Sequence, residues 1–324
     1  MPIDSTVAIL LTVISAATPL LFAAVGELVV EKSGVLNLGV EGMKLSGAVG
    51  AFAVTVMTGS GLLGILVGAL AGMLLALAFG VLTLTLAANQ VATGLALTIF
   101  GTGFSSLIGA GFVGIPVAPL PKLAVPGLSD LPVGGPLLFG HDLLVYLSVA
   151  ALVGVAWFLK RTRAGMILRA VGESDLSAHS IGYDVIAVRY RAVLFGGAMA
   201  GLGGAFLSLS YTPMWAEEMT AGRGWIALAL VVFGSWRPWR VFVGAHLFGG
   251  VTILQLYAQG SGGIAIPSQV MSMLPYLATI LVLTVIAAGR WKGRLDAPRC
   301  LGTPFRPTTR RPTRTQRKGK GGYR

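Results

Sequence analysis

Residues Leu45–Pro121 read LSGAVGAFAVTVMTGSGLLGILVGALAGMLLALAFGVLTLTLAANQVATGLALTIFGTGFSSLIGAGFVGIPVAPLP, without one charged side chain in 77 positions. A hydrocarbon core of about 30 Å takes about 20 helical residues to cross. The run is therefore several crossings joined by very short turns. Working outward from it, hydropathy predicts helices at about 5–26, 40–59, 62–87, 91–111, 142–159, 192–211, 222–236, 241–258 and 270–289. The fold class is all-α: a polytopic integral membrane protein of about 8–10 transmembrane helices. A transporter or channel subunit is the function class this implies.

Composition agrees. Of 324 residues, 55% are apolar and 11% charged, and the mean hydropathy is +0.81; a soluble chain carries about twice that charge. Met1–Gly26 lacks a basic leader and is apolar for long enough to stay as a membrane helix. The single cysteine, Cys300, excludes an internal disulfide framework and a cysteine metal cluster. His141, His179 and His246 lie far apart without metal-ligand spacing, so no metal site is expected. The net charge of +12 belongs to the tail. Residues 290–324 hold 12 Lys and Arg against one acid, Asp296. This gives two parts, a membrane body at 1–289 and a basic, disordered tail at 290–324. The tail reads as a cytoplasmic anchor touching anionic lipid. No folded nucleic-acid module accompanies it, so nucleic acid is not an expected partner.

Basic loops stay in the cytoplasm. Lys160–Arg191, with six Lys and Arg, and the tail are therefore placed inside, and Thr212–Arg223 and Gln259–Gln269 outside. Counting back puts the N-terminus outside, unless a further segment hides within Phe104–Phe139. The 222–236 segment is weak, because Trp225 to Trp236 gives only about 18 Å of helix. A kink at Gly222 and Gly224, or a re-entrant path, would accommodate it. All six tryptophans fall near predicted helix ends, as an aromatic belt requires. Gly64, Gly68 and Gly72, Gly197 with Gly201, and Ala200 with Gly204 recur at helical spacing as packing seams.

There is no Gly-x4-Gly-Lys-Ser/Thr phosphate loop, catalytic triad or paired catalytic carboxylates, so energy must come from a partner or an ion gradient. Polar residues at membrane depth are costly and mark function or internal pairing. In Gly26–Lys44, Glu27 and Glu31 share a face before the Ser33-Gly34 break. If the chain is helical after Gly34, Asn37, Glu41 and Lys44 share another, and Glu41 can pair with Lys44. These residues either line a pathway or meet water at the interface. Asn89, Gln90 and Thr93 either line the pathway near one mouth or form a tight polar turn. His246 is a pathway candidate or a packing residue. Glu217 and Glu218 either meet an external partner or belong to a solvated loop. Lys160–Arg191 is the most unusual segment outside lipid. Glu173–Ile181 has helical character, closed by Gly182, and such a short helix can dock in a groove of a soluble protein.

Gly34-Val-Leu-Asn-Leu-Gly-Val-Glu-Gly-Met43, Arg169-Ala-Val-Gly-Glu-Ser with Ala178-His-Ser-Ile-Gly182, Phe195-Gly-Gly-Ala-Met-Ala-Gly-Leu-Gly-Gly204 and Ala221-Gly-Arg-Gly-Trp-Ile-Ala-Leu-Ala follow one another in order. Together they resemble the inner-membrane permease subunits of bacterial ABC importers for nucleosides and simple sugars, relatives of the ribose and branched-chain amino-acid permeases. The likeness covers about residues 20–289. Ser174-Asp175 stands where many relatives have Asn-Pro, and Lys44 at a usually apolar place. The resemblance implies an importer subunit in the bacterial inner membrane with its tail in the cytoplasm. It pairs with a second permease subunit, identical or not. An ATPase binding ATP and Mg works it, and an extracytoplasmic substrate-binding protein feeds it, so this chain is no enzyme and holds no cofactor. The resemblance assigns Gly172, Glu173, Ala178 and Gly182 to coupling, and Asn37 and Glu41 to the pathway. The expected solute is a nucleoside or a related sugar-bearing molecule; a pentose or branched-chain amino acids are alternatives. An ion-coupled secondary transporter with Glu41 or His246 carrying the proton is the rival class.

Overall fold

The computed structural model describes residues 3–123, 134–260 and 297–306, with isolated positions between 270 and 284. Eleven helices are described: α1 Ile3–Lys32, α2 Val40–Thr58, α3 Gly61–Gly80, α4 Gln90–Gly109, α5 Gly134–Phe139, α6 Leu143–Arg161, α7 Arg163–Glu173, α8 Asp175–Ser180, α9 Val185–Phe206, α10 Arg223–Phe233 and α11 Pro238–Gly260. Seven of these, α1 to α4, α6, α9 and α11, are long and apolar enough to cross a membrane. The chain is a multi-pass, all-α membrane protein. The predicted crossing at 270–289 lies outside the described residues apart from isolated positions.

Helix ends follow local chemistry. Gly59, at φ +70°, closes α2, and Ser60 caps α3. Asp142 accepts from the amides of Leu144 and Val145 and starts α6. Thr162 both ends α6 and caps α7 through Gly165 N–H. Asp184 starts α9. Such caps satisfy amides that helix geometry leaves free.

The centre is a packed trio of α2, α3 and α9, with α1 across α9. Glycines set the separation. A Cβ on Gly72 would lie 2.9 Å from Cα of Gly201, and one on Gly47 would lie 2.7 Å from the Gly201 carbonyl oxygen. Gly68 meets Gly47, and Gly204 meets Lys44. In lipid, tails compete equally for apolar surface, so close backbone approach becomes the main source of helix attraction. The seams read from sequence are this trio. Outward, α3 shows Leu62, Leu66, Leu70 and Leu74, and α4 shows Ile99, Phe100 and Leu107. That patch would be a liability in water and is an ordinary surface in hydrocarbon.

Four expectations are corrected. The first helix continues to Lys32, because Glu27 and Glu31 find internal partners. Two tryptophans are not belt residues: Trp215 packs on Gly109, and Trp236 is buried and donates to Glu31. A further helix, α7, precedes Ser174, and α8 begins only at Asp175. Ala297–Arg306, within the stretch read as a disordered tail, is folded back onto the body: Cys300 N–H donates to Gly172 O at 2.9 Å and Gly302 N–H to Gly34 O at 3.1 Å. The rest of the tail lies outside the described residues.

Lys32, at the end of α1, sits against Gly172 of α7, so the N-terminus is at the opposite end of the bundle. Between α4 and α6 the described residues hold only a short 3-10 turn and the six-residue α5, with no further crossing among them.

Candidate functional site

The break between α1 and α2 organises the polar residues. Ser33 N–H still bonds to Val30 O, and Gly34 then turns the chain at φ +89°. Leu36 N–H donates to Gln90 Oε1 at 2.8 Å, and Asn37 N–H to Glu27 Oε1 at 3.2 Å. Asn37 Oδ1 accepts from Gly39 N–H. Asn37 thus precedes α2 in the turn, and the expected helical face Asn37–Glu41–Lys44 does not form. Side chains from α1 and α4 supply hydrogen bonds that an unwound backbone needs at this depth. Thr98 reinforces this by donating to Leu38 O.

Glu41 faces the start of α10. Its Oε1 accepts from Thr220 Oγ1 at 2.5 Å and from Gly222 N–H at 2.8 Å; its Oε2 accepts from Gly224 N–H at 2.5 Å. A carboxylate here answers both the free amides and the positive end of the helix dipole. Gly222 takes φ +75°, and a Cβ on Gly224 would lie 2.7 Å from Cα of Glu41. Glycine at both positions lets the carboxylate reach the backbone. Upstream, Met214 and Trp215 still pair with the loop at Val113 and Pro116. The segment from Trp215 to Gly222 therefore runs inward. The 11-residue α10, which leads on to Trp236 beside Glu31 at the other end of the bundle, is the helical half of a discontinuous element broken at Gly222, nearer to the kink than to the re-entrant path.

The Glu41–Lys44 pair expected from spacing is not made. Lys44 is fully buried and its Nζ has no hydrogen-bond partner among the described residues, although it lies in the electrostatic field of Glu41 and Arg223. Among the described residues Glu27 Oε2 and Gln90 Nε2 are also without a partner. These three atoms belong to α1, α2 and α4, the helices that meet at the break.

The other pathway candidates separate. Asn89 is exposed and caps its own helix through Ala92 N–H. Thr93 is buried one turn after Gln90. His246 sits on α11, where its Nδ1 lies 2.9 Å from Phe242 O of the same helix and its ring packs on Phe242. The structure thus places Asn37, Glu41 and Gln90 around the break and His246 apart from them on α11. Glu217 and Glu218 are exposed.

The coupling candidates form a second cluster against the same break. Gly172 is buried on α7, where a Cβ would lie 3.0 Å from the Lys32 carbonyl carbon. Ala178 is buried with Val171 and Val185. Glu173 and Gly182 face outward. Gly182, at φ +95°, closes α8 as read from sequence: its N–H bonds to His179 O and Tyr183 N–H to Ala178 O, a Schellman cap. The two clusters meet at Arg189, which sequence reasoning missed. Its fully buried guanidinium donates to Ser33 O at 3.2 Å, to Thr303 O at 3.3 Å and to Asp175 Oδ2 at 3.2 Å. Arg189 stands among the six basic residues of the loop Lys160–Arg191, and its place inside α9 with these three partners is a tertiary fact.

Two cavities lie elsewhere among the described residues. One of about 390 Å³, almost wholly apolar, lies among Val29, Gly154, Phe158, Leu168, Arg191 and Phe195. The other, of about 860 Å³, lies under the proline-rich loop between Thr55, Ile65, Pro116 and Leu143.

Comparison with known proteins places these features. The chain is 42% identical to a putative glucose ABC transporter permease of Haloferax volcanii, over 89% of this chain and 94% of that protein. It is 32% identical to a guanosine ABC transporter permease of Bacillus subtilis and 32% identical to a nucleoside ABC transporter permease of Lactococcus lactis, each over 89% of this chain and 93% of the relative. No solved structure matches it. A family model described as branched-chain amino acid transport system / permease component matches residues 9–283. The match spans the broken first pair of helices, the half-helix capped by Glu41 and the loop of two short helices, and the chain belongs to that permease family.

Proposed function

We propose that the chain is the membrane subunit of an ABC importer that takes up a nucleoside or a related sugar-bearing solute by alternating access. Two permease subunits, the second identical or not, enclose the pathway. A cytoplasmic ATPase binds ATP and Mg and grips α8, and an extracytoplasmic receptor delivers the solute. The complex sits in the cell membrane, with α7, α8 and the basic tail in the cytoplasm, where the tail touches anionic lipid. Hydrolysis occurs in the partner.

The observation that carries this reading is the connection from α8 to the break: Asp175 to Arg189 to Ser33 O. A push on α8 reaches the point where α1 turns into α2 through groups with little slack. Asn37, Glu41, Gln90 and Thr93 stand beyond that point, and we assign them to the pathway wall. Gly172 and Ala178 seat the coupling helices, while Glu173 and Gly182 face the partner.

An ion-coupled transporter is less well supported. Glu41 spends both oxygens on α10, and His246 is engaged with its own helix. For the solute, the named substrates of the relatives are guanosine, nucleosides and glucose. Uptake should be measured in vesicles carrying this chain with its ATPase, second permease subunit and receptor, offering guanosine, ribose, glucose and leucine. ATP-dependent accumulation of guanosine or a sugar, insensitive to an ionophore, is expected. Uptake that collapses with the ionophore while ATP is maintained would overturn the reading, and leucine uptake alone would overturn the solute class.

A further inference from the structure

Ala297–Arg306 lies beyond the match to the permease family, which ends at residue 283. It nevertheless makes specific contacts with both clusters described above. Cys300 N–H donates to Gly172 O, and Gly302 N–H to Gly34 O. Thr303 O accepts from Arg189, and Phe305 packs edge-on against His179 at 5.4 Å between ring centroids and against the Val171, Ala178 and Val185 cluster. Gly302 takes φ +75°, which lets the segment turn over Leu36. One short segment therefore touches α7, α8, α9 and the break.

Around it, Leu176 on α8 and Ile181 just after it are 56% and 72% exposed, with Tyr183 beside them. They stand among exposed Glu173, Ser177, Ser180 and Asp184, so this end meets water and not hydrocarbon. Exposed apolar groups in such a setting mark a protein contact. Arg299, with a side chain 87% exposed, and exposed Arg306 flank the patch.

We propose that the coupling surface is composite: Ala297–Arg306 straps α7 and α8 to the α1–α2 break, and strap and α8 together present to the partner ATPase an apolar centre with a basic edge on the strap side, Arg299 and Arg306. The matching surface on that partner is an apolar groove edged by carboxylates. This rests on the permease reading above and adds to it a part of the chain that the family resemblance does not reach. The strap removes slack: with it docked, α8 cannot move without carrying Gly34 and Arg189. Without it, a displacement of α8 would reach the break through the single Asp175–Arg189–Ser33 path alone.

Cys300 supplies the reporter, being half-buried under Gly34 and the sole cysteine of the chain. The test uses the assembled transporter in vesicles. Gly302→Pro removes both the amide that bonds Gly34 and the left-handed conformation, at a surface position that leaves the bundle intact. Expected are a maleimide labelling rate at Cys300 up about tenfold and solute moved per ATP down about tenfold, a coupling of ordinary size, while hydrolysis continues. Arg299→Glu with Arg306→Glu should weaken ATPase association about tenfold at low salt and much less at high salt, as exposed charges do. Phe305→Ala should fall between the parent and Gly302→Pro, and Phe305→Tyr should restore coupling.

Rapid labelling of Cys300 in the unaltered complex, or an unchanged ratio of transport to hydrolysis in Gly302→Pro despite rapid labelling, would overturn the strap. An ATPase that binds the double charge reversal as tightly as the parent would overturn the composite surface. If no ATPase associates even with the unaltered chain, the permease reading itself fails, and that result is distinct from the others.

Discussion

The guanidinium of Arg189 lies 3.2 Å from the carboxylate of Asp175, with the arginine side chain wholly buried and the aspartate almost so. The same guanidinium holds the carbonyl oxygens of Ser33 and Thr303. A coupling helix, the end of α1 and the strap thus share one charged group. Deleting one partner of a buried ion pair costs about 3–5 kcal/mol, because the other charge is left in a poor environment. Arg189→Met should therefore lower the melting temperature of the purified transporter and abolish solute-stimulated ATPase activity. Asp175→Asn keeps an acceptor and the guanidinium keeps both carbonyls, but its counter-charge is lost, so this variant should cost about 1.5–3 kcal/mol and leave uptake measurable. Equal losses in the two variants would contradict this arrangement.

Glu41 is expected to act as the cap of α10. Glu41→Ala removes three charge-assisted hydrogen bonds, each worth about 1.5–3 kcal/mol when a charged group takes part. It should prevent stable assembly, as seen by size-exclusion chromatography in detergent. Glu41→Gln keeps one good acceptor but sets its amide against the Gly224 N–H, and should assemble with reduced thermal stability. If Glu41→Gln lost uptake while its melting temperature stayed at the parent value, the carboxylate would have a transport role beyond capping.

Gly101 and Gly42 meet where α4 crosses α2: a Cβ on Gly101 would lie 2.5 Å from Cα of Gly42. The obstacle is backbone, which cannot swing aside as a side chain does. Gly101→Val should cost more than the roughly 1–3 kcal/mol usual for overpacking, read as loss of folded protein in the membrane fraction. Gly103→Val, with open space around it, is the control and should be tolerated.

At the opposite end, burial lowers the pKa of His141 below 6.5, and Lys122 adds to this, against the raising effects of the Leu137 carbonyl and Asp142. The folded state then favours the neutral ring. Its contribution to stability is fully present above the unfolded value of about 6.5 and is lost as pH falls through the lower folded value. Hydrogen exchange at Leu123, Leu144 and Val145, corrected for intrinsic rates, should show weaker protection at about pH 5 than at about pH 7.5. His141→Gln should remove most of that difference; an unchanged pH response would assign it elsewhere.

Hydropathy alone located the long crossings, because a lipid core imposes length and composition on every segment that spans it. The glycine seams were readable for a related reason, since small residues at helical spacing have few uses other than close packing. The break at Ser33-Gly34 and the weakness of the segment at 222–236 were visible as departures from a continuous helix. Trp215 and Trp236 misled, because an aromatic residue near a helix end looks the same whether it faces head groups or a buried carboxylate.

The sequence by itself determined that this chain folds as a bundle of membrane helices, where its helices break, and which permease family it joins. Tertiary structure alone decided what the polar residues do. Glu41 turned from its neighbour Lys44 to α10, Arg189 joined three distant segments, and residues 297–306 left the expected tail to lie on α7 and α8. The physical reason is that hydrophobicity and helix length act locally along the chain, whereas a buried polar group must find a partner wherever the fold brings one within about 3 Å.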